Sequence, residues 1–397
     1  MALKISVPGK IILFGEHAVV YGKAAIAASV NLRSDVVLSP CKSEEVRIAF
    51  AALDLVACWP LKKLQDISKM KYVDINNPMP LSDTQLEDLV QIAAMGKDRS
   101  NVKLQAVLIF LYFYVSVASS HKDCTAQQNL LSGLLVSVTT QLPIAAGLGS
   151  SASFNVALAA ALLLQHGYVG GVDMKKVVNT CTFIDDEWIW NEGDLDLINK
   201  WAFEGERIVH GTPSGIDNSV ACFGGAIKFQ NKTITHLGQI PNLQILVTST
   251  GIPKNTKTLV AKVKERKDMM PDVFGPIMEA VEGVTAQCLL SFEELKNNSP
   301  TQKDSFKILE TLIDINQNLL QAMGVSHHRL NRICEITLKH GLHSKLTGAG
   351  GGGCTYTLIT PATSADDLEK VQVELCSEGF ECFLANICSN GVTCHRT

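Results

Sequence analysis

The sequence predicts an α+β protein built from two domains. Its 397 residues exceed the usual size of one domain, and 46% of them are hydrophobic, which is enough for a large core. Short apolar runs separated by Gly and Pro open the chain, whereas longer amphipathic patterns follow residue 225. We place the boundary at this change of character and predict domains at 1–230 and 231–397.

The amino-terminal domain is predicted to begin with strands and hairpins, because the runs ISV, IILF, AVV and VVLS occur between residues 5 and 38. The polar stretch 44–98 contains three prolines and predicts an irregular insertion. The apolar run at 106–118 is shorter than the ~20 residues that cross a bilayer, so it predicts a buried helix. Further helices are predicted after Ser151 and at 194–210, and a strand at 130–138.

The carboxyl-terminal domain is predicted to combine strands with amphipathic helices. Its apolar runs are short and rich in β-branched residues, whereas its helical patterns extend over three turns or more. The predicted strands are 243–249, 354–360 and 380–387, and the predicted helices are 257–267, 276–294, 304–322, 327–340 and 365–377.

Charge and cysteine usage limit the partners. A net charge of −4, without a stripe rich in lysine or arginine, argues against nucleic acid and favours a small-molecule substrate. The 12 cysteines form no CxxC pairs, and no secretory segment is evident, so we expect reduced thiols in the cytosol and no membrane partner. A peroxisomal location stays open, although the chain ends in HRT rather than an SKL-type signal.

The loop PIAAGLGSSAS at 143–153 is the most informative segment. Two glycines and three small residues allow the backbone to approach a ligand closely, and two serines stand where a helix would begin. The free N–H groups and the dipole of a helix N-terminus favour anions, so this loop predicts binding of a nucleotide's phosphates. The alternative is an ordinary helix with a serine N-cap.

Two other segments imitate nucleotide-binding motifs. GAGGGG at 348–353 matches GxGxxG, but a strand-like segment follows it where a dinucleotide site requires a helix. GEHAVVYGK at 15–23 ends in Gly-Lys, but its spacing is too long and Ala24 stands where a P-loop needs Ser or Thr. We therefore exclude a Rossmann site and a P-loop.

Four segments resemble the GHMP kinase superfamily in order and spacing: PGKIILFGEHAVVYG at 8–22, the loop at 143–153, GERIVHGTPSGIDNSV at 205–220 and KLTGAGGGGC at 345–354. The resemblance implies the two-domain fold of that superfamily, with a mixed α/β amino-terminal domain and a ferredoxin-like carboxyl-terminal domain. The GEHAVVYG element favours members that use ATP and Mg²⁺ to phosphorylate the 5-hydroxyl of mevalonate, early in isoprenoid and sterol synthesis. The resemblance also implies a homodimer and feedback inhibition by prenyl diphosphates.

Two alternatives stay open. Another enzyme of the superfamily, such as a different small-molecule kinase or a diphosphomevalonate decarboxylase, would need further basic residues wherever its substrate carries phosphates. No such residues can be assigned from the sequence. A catalytically inactive sensor on the same scaffold should have lost Lys10, Glu206 or Asp217, and all three are present.

Lys10 and Asp217 are the predicted catalytic residues. If Lys10 points inward from its apolar run it needs an anionic partner, and Asp217, in a turn that contains Gly215, is the best candidate. By resemblance, Asp217 accepts the proton of the substrate hydroxyl. The alternatives are a lysine that reaches out to solvent and an aspartate that only forms a turn.

The resemblance also assigns the nucleotide and the metal. Magnesium prefers hard oxygen ligands, and Ser151 and Glu206 match the superfamily's metal positions, although Glu206 could instead be a solvated carboxylate. Ala145 stands where the superfamily carries a residue with easier access to positive φ. The residues implied in ATP binding are Lys10, Thr140, Ala145, Ala146, Gly147, Leu148, Gly149, Ser150 and Ser151.

The substrate side is assigned by resemblance as well. Lys254 could meet the mevalonate carboxylate as a point charge. The glycines at 348–353 argue for close packing of backbone against the phosphate loop or the substrate, with a tight interdomain turn as the alternative. The residues implied in substrate binding are Glu16, His17, Lys254, Thr256, Thr347 and Gly348.

Overall fold

A computed structural model describes residues 2–68, 74–119, 131–144, 146–170, 187–188, 190–238, 240–297 and 302–396. One large sheet organises its amino-terminal part, and a smaller antiparallel sheet organises its carboxyl-terminal part. The strands are β1 Leu3–Phe14, β2 Ala25–Pro40, β3 Glu45–Phe50, β4 Leu55–Pro60, β5 Leu134–Thr140, β6 Glu187–Trp188, β7 Ala226–Gln230, β8 Thr233–Gly238, β9 Gln244–Ser249, β10 Ser344–Leu346, β11 Cys354–Ile359, β12 Glu381–Asn386 and β13 Thr393–Arg396.

The large sheet has the strand order β4-β3-β5-β2-β1-β13-β6, and β7 and β8 extend it beside β2. On its side away from β1, β2 pairs with two strands: residues 25–28 pair with β7 and residues 34–40 pair with β5. β1 pairs antiparallel with β2, and its register shifts between Pro8 and Gly9. Such irregularities re-aim the side chains that follow them, here that of Lys10.

Helices α3 and α4 form the centre of the amino-terminal core. Both are apolar on all sides and almost entirely buried, which confirms the prediction of a buried helix at 106–118. α4 packs on β1 and β2 and contacts α5 and α6. The helices are α1 Leu61–Ser68, α2 Asp83–Ala93, α3 Val102–Ser119, α4 Ser150–Gln165, α5 Glu192–His210, α6 Ile216–Phe223, α7 Thr256–Met269, α8 Pro271–Lys296, α9 Gln302–Ala322, α10 His328–Lys339 and α11 Ala365–Ser377.

The smaller sheet has the strand order β10-β11-β9-β12 and pairs antiparallel throughout. Its chain order runs from β9 through four helices to β10 and β11, and then through α11 to β12. This arrangement is the split βαβ pattern of ferredoxin-like domains, as predicted. α8 is long and apolar enough to cross a membrane by length and composition, but its buried residues lie in the core of this domain.

Two elements differ from the predictions. The run AVV forms a 3-10 turn at Ala18–Tyr21 rather than a strand, because the chain reverses at Gly15 and His17, which both have positive φ. The stretch 44–98 is not an irregular insertion at its start, since β3 and β4 lie there and join the large sheet. β3 alternates buried and exposed residues, the pattern of a half-buried strand.

The predicted boundary at residue 230 lies at the end of β7. It falls inside the hairpin of β7 and β8, which pair with each other in the large sheet. In addition, the last strand returns from the carboxyl-terminal part and pairs with residues 3–6 of β1. A single cut cannot separate the two parts, because sheet pairing follows cross-strand hydrogen bonds and not chain order.

The two parts meet along the end of β1. The Thr347 hydroxyl donates to the Ile12 carbonyl at 2.9 Å and accepts from the Ile12 N–H at 3.1 Å. The Tyr356 hydroxyl donates to the Leu13 carbonyl at 3.0 Å. The glycines after β10 lie against the loop that precedes α4, since a Cβ at Gly353 would stand 2.9 Å from the Ala146 carbonyl. We call this contact between the two parts the seam. The sequence motifs lie along it.

Candidate active site

The predicted phosphate loop connects β5 to α4. Gly147 and Gly149 have φ of 84° and 76°, and Gly149 is the N-cap of α4 without a capping side chain. The first N–H groups of α4 are therefore available for an anion. The Lys10 N–H donates to the Leu148 carbonyl at 2.8 Å, which ties the loop to β1.

Lys10 and Asp217 form the predicted ion pair. Lys10 Nζ lies 3.1 Å from Asp217 Oδ1, with the lysine side chain 7% and the aspartate side chain 37% exposed. Asp217 stands in the first turn of α6, after Gly215 with φ of 83°. The dipole of that helix favours a charged carboxylate at this position. The lysine is thus held by the protein, while the carboxylate remains accessible to a ligand.

Glu206 and Ser151 also come together, as predicted. The Ser151 hydroxyl donates to Glu206 Oε1 at 2.7 Å, and the Asn155 amide donates to the same oxygen at 2.6 Å. His210 Nε2 lies 3.4 Å from the other oxygen. Burial raises the pKa of Glu206, and the charge of Asp217 acts in the same direction. A cation beside these oxygens would relieve that cost.

Sequence reasoning missed Asn155. It stands one turn after Ser151 in the apolar helix α4, fully buried, and Gly205 leaves room for its side chain because a Cβ there would overlap it. A single amide within FNVALAAALLL was the available signal. A buried amide needs a partner, and this one orients Glu206.

Lys254 lies between the phosphate loop and the glycine tract. A Cβ at Gly147 would overlap its ammonium, and one at Gly348 would stand 2.7 Å from Nζ. Burial, followed by the charge of Lys10, lowers the pKa of Lys254 to about 8. Thr256 is exposed at the start of α7, two residues beyond Lys254.

His17 faces the same seam from the turn after β1. Its Nε2 lies 2.8 Å from the Ala349 carbonyl, and burial lowers the pKa of the imidazole. A neutral ring that donates from Nε2 keeps a lone pair on Nδ1. Within the described part of the chain, this buried Nδ1 has no hydrogen-bond partner.

Two predicted substrate residues have other partners in the structure. Glu16 is 2% exposed and is bound by Lys345 and Asn316, so its carboxylate is already satisfied inside the protein. Thr347 is fully buried and its hydroxyl is occupied by the backbone of Ile12. Both residues join the two parts of the molecule, and their expected contact with substrate is not supported.

The remaining nucleotide residues are distributed around the loop. Ala146 and Leu148 are buried, and Ser150 and Ser151 are partly exposed at the start of α4. The Thr140 hydroxyl accepts from the Leu142 N–H at 3.0 Å and lies 2.8 Å from the Ser34 hydroxyl, so it shapes the start of the loop. Ala145 lies outside the described residues.

Comparisons with known proteins identify the class first. The family model of the GHMP kinases N terminal domain matches residues 115–226, and that of the GHMP kinases C terminal matches residues 293–381. Fold and site therefore define a kinase of the GHMP type.

Similar proteins identify the family within this class. The mevalonate kinase of Mus musculus is 40% identical over 99% of this chain and 95% of its own length, and that of Arabidopsis thaliana is 35% identical over 98% and 99%. The structure of L. major mevalonate kinase in complex with R-mevalonate aligns with a TM-score of 0.66 at 21% identity, over 98% of this chain and 96% of that one, and shares the fold. The chain belongs to the mevalonate kinase family.

Proposed function

We propose that this chain transfers the γ-phosphoryl group of ATP to the 5-hydroxyl of mevalonate. One observation carries the proposal: the Lys10–Asp217 pair, Glu206 with Ser151 and the free N-terminus of α4 line one seam, in a chain of the mevalonate kinase family. This arrangement supplies a proton acceptor, positive charge and a phosphate cradle, which are the parts that phosphoryl transfer requires.

The chemistry follows from these positions. The hydroxyl oxygen attacks the γ-phosphorus, the bond from that phosphorus to the bridging oxygen breaks, and ADP leaves. Asp217 accepts the hydroxyl proton, and Lys10 orients Asp217 and offsets the negative charge that develops. Phosphoryl transfer does not require a strong base, because its transition state is loose and depends mainly on positioning and charge neutralisation.

Magnesium fits the residues present. Glu206 and Ser151 offer a carboxylate and a hydroxyl oxygen, and magnesium uses few protein ligands when phosphates and water complete its shell. Among the described residues, no group of three or more His, Cys, Asp or Glu side chains is placed to hold a metal ion. When bound, the ion would neutralise phosphate charge.

The substrate side is proposed from the charge of Lys254 and the unpaired acceptor of His17. We assign the mevalonate carboxylate to the Lys254 ammonium and a substrate hydroxyl to His17 Nδ1, an acceptor without a partner in the described structure. A hydrogen bond there would satisfy a buried polar atom, and such atoms are costly when they stay unpaired. Thr256 and Gly348 flank Lys254 and belong to the same proposed subsite.

Regulation, assembly and place in metabolism are further proposals. An anion-binding loop that accepts nucleotide phosphates can accept another diphosphate, which supports competition between prenyl diphosphates and ATP. Family membership and the cysteine pattern support a cytosolic homodimer that acts in isoprenoid and sterol synthesis. Inhibition by farnesyl diphosphate that ATP does not relieve would contradict the first of these proposals.

A substrate panel tests the function. The purified protein is incubated with ATP, Mg²⁺ and, in separate reactions, mevalonate, phosphomevalonate, galactose and homoserine, and ADP release is measured. We expect turnover with mevalonate alone. Turnover with another member of the panel and none with mevalonate would assign the chain to a different reaction. Replacing Mg²⁺ by EDTA is expected to abolish ADP release.

A further inference from the structure

A buried ion pair at the seam has no part in the chemistry described so far. Lys345 Nζ bonds Glu16 Oε1, and the two side chains are 0% and 1% exposed. The Asn316 amide donates to the other Glu16 oxygen at 3.1 Å. Lys345 also donates to the Leu346 carbonyl at 2.8 Å, so both charged groups are held from several sides.

A buried ion pair is an energetically costly contact between the amino-terminal and carboxyl-terminal parts. Two desolvated charges often stabilise a protein no more than apolar residues of the same volume would, and their better attested use is to define one geometry. Here the surroundings are apolar, because the ammonium also faces the rings of Phe14 and Tyr356 at 5.5 and 5.2 Å. We therefore expect the Glu16–Lys345 pair to position a neighbouring group.

The group to be positioned is the next residue. His17 has φ of 60° and ψ of −44°, a backbone conformation outside the regions that residues with a side chain normally occupy, so holding it costs free energy. Its ring is held on one side by the Ala349 carbonyl, four residues after Lys345. Segments 12–17 and 345–349 are thus connected by three sets of contacts: the Thr347–Ile12 hydrogen bonds, the Glu16–Lys345 ion pair and the His17–Ala349 hydrogen bond.

We propose that Lys345 is a positioning residue for substrate binding, which acts through Glu16 to hold the turn that carries His17. With the turn fixed, His17 Nδ1 presents its lone pair to a hydroxyl of a small hydroxy acid. This inference rests on the proposed function, since it assumes that His17 contacts the substrate. In this proposal Glu16 connects the two parts of the molecule and does not bind the substrate directly.

The experiment interrupts the relay, meaning the contacts that lead from Lys345 through Glu16 to His17, at different points. Lys345→Met alone would leave a buried carboxylate unpaired and could prevent folding. The test therefore uses the neutral pair Glu16→Gln with Lys345→Met, and also the milder Asn316→Ala, which loosens Glu16 from one side only. His17→Gln retains a donor for the Ala349 carbonyl and removes the Nδ1 acceptor.

We expect the neutral pair and His17→Gln to raise KM for mevalonate about tenfold, which corresponds to about 1.4 kcal/mol, and to leave KM for ATP within about twofold. Asn316→Ala should raise it less. The control is Ser344→Ala, since Ser344 lies beside Lys345 on β10 and its hydroxyl bonds only the hydroxyls of Thr337 and Thr357 among the described contacts that it makes. Its KM should not change.

The outcomes separate the two claims. An unchanged KM in His17→Gln would remove His17 from the proposed substrate site. The proposed role of Lys345 would then fail as well, because it acts through His17. A raised KM in His17→Gln with a normal KM in the neutral pair would overturn the relay and leave the proposed function intact. Equal effects in Ser344→Ala would show general loosening of the seam and would also overturn it.

Nitrogen-15 NMR of the His17 ring adds a readout that does not depend on activity. In the wild-type protein we expect a single tautomer with the proton on Nε2, because Ala349 accepts that hydrogen bond. The neutral pair should show averaging between tautomers. A ring signal unchanged from wild type would contradict the proposal even if the variant were inactive.

Discussion

The two charges nearest the proposed reaction have opposite surroundings. Lys10 is buried on a strand, whereas Asp217 is over a third exposed at a helix start, and they meet at 3.1 Å. A fixed ammonium beside an accessible carboxylate suits a residue that must exchange a proton with a substrate. The pair therefore carries the catalytic part of the proposal.

Removing either charge should stop turnover without preventing nucleotide binding. Asp217→Asn keeps the shape of the side chain but cannot accept the proton, and Lys10→Met keeps the apolar stem. We expect kcat to fall at least ~100-fold in each variant, as loss of a preorganised charge commonly causes. Steady-state kinetics and calorimetric titration of an ATP analogue measure the two quantities.

The matched control is Lys4→Met on the same strand. Lys4 pairs with Asp35 at 2.8 Å, and both side chains are about a third or a quarter exposed. An exposed pair contributes less than about 1 kcal/mol, so neither stability nor turnover should change much. Near-normal kcat in Asp217→Asn would remove that residue from the mechanism.

Lys254 predicts a pH dependence. Its pKa is lowered to about 8, so the ammonium is present below that pH and is lost as the pH rises through it. If the charge binds the mevalonate carboxylate, kcat/KM for mevalonate should fall above pH 8, with a slope that approaches about tenfold per pH unit. Steady-state kinetics between pH 6.5 and 9.5, chosen to cover about 1.5 units on either side of that value, measure the slope.

Two variants test whether this fall belongs to Lys254. Lys254→Gln lacks the charge, so its kcat/KM should start lower and stay level across the same range. Lys257→Gln, at an exposed position in α7, should keep the wild-type profile. The assignment fails if Lys254→Gln shows the same fall as the wild type.

Among the elements, the junction of the phosphate loop and α4 depends on a residue without a side chain. Gly149 has φ of 76°, and a Cβ there would stand 2.8 Å from Lys10 Cγ. Gly149→Ala should cost about 1–2 kcal/mol for the left-handed backbone and should also displace Lys10. We expect a reduced free energy of unfolding together with a loss of kcat.

Gly167→Ala is the control at the other end of α4. Its φ is 74°, and a Cβ there would meet nothing within 4 Å. The variant should lose similar stability in urea unfolding and keep its kcat. Equal kcat in the two variants would mean that the loop does not constrain Lys10.

The same elements show what the sequence could predict. Buried helices such as α3 and α4 follow from continuous apolar runs, and strands with alternating burial follow from local periodicity. Residues close in the chain determine both signals. The motif residues Lys10, Asp217, Ser151 and Glu206 could be grouped because their spacing matched a known pattern. Asn155 and Lys345 escaped prediction, because a buried polar residue is defined by partners that lie far away in the chain.

In the whole molecule, the last strand lies beside the first strand in the large sheet. β13 pairs with β1, and Arg33 on β2 holds the approach to β13 by donating to the carbonyls of Asn390 at 2.9 Å and Gly391 at 2.7 Å. It also donates to the carbonyl of Ser6 on β1 at 2.9 Å. This latch therefore anchors the carboxyl-terminal part to the large sheet in addition to the seam at β10.

Loss of the latch should affect stability. Arg33→Ala removes hydrogen bonds from a charged donor, each worth about 1.5–3 kcal/mol, and we expect a decrease of about 2–3 kcal/mol in the free energy of unfolding. Arg47→Ala, at an exposed position on β3, should change it by less than about 0.5 kcal/mol. Equal urea midpoints for the two variants would contradict the latch.

The most direct test of the account is a crystal structure of the protein with mevalonate and a non-hydrolysable ATP analogue. We predict phosphates at the first turn of α4, the 5-hydroxyl of mevalonate within hydrogen-bond reach of Asp217, and its carboxylate at Lys254. Phosphates bound away from α4, or a mevalonate hydroxyl that Asp217 cannot reach, would contradict the central claim that one seam between the two parts performs the transfer.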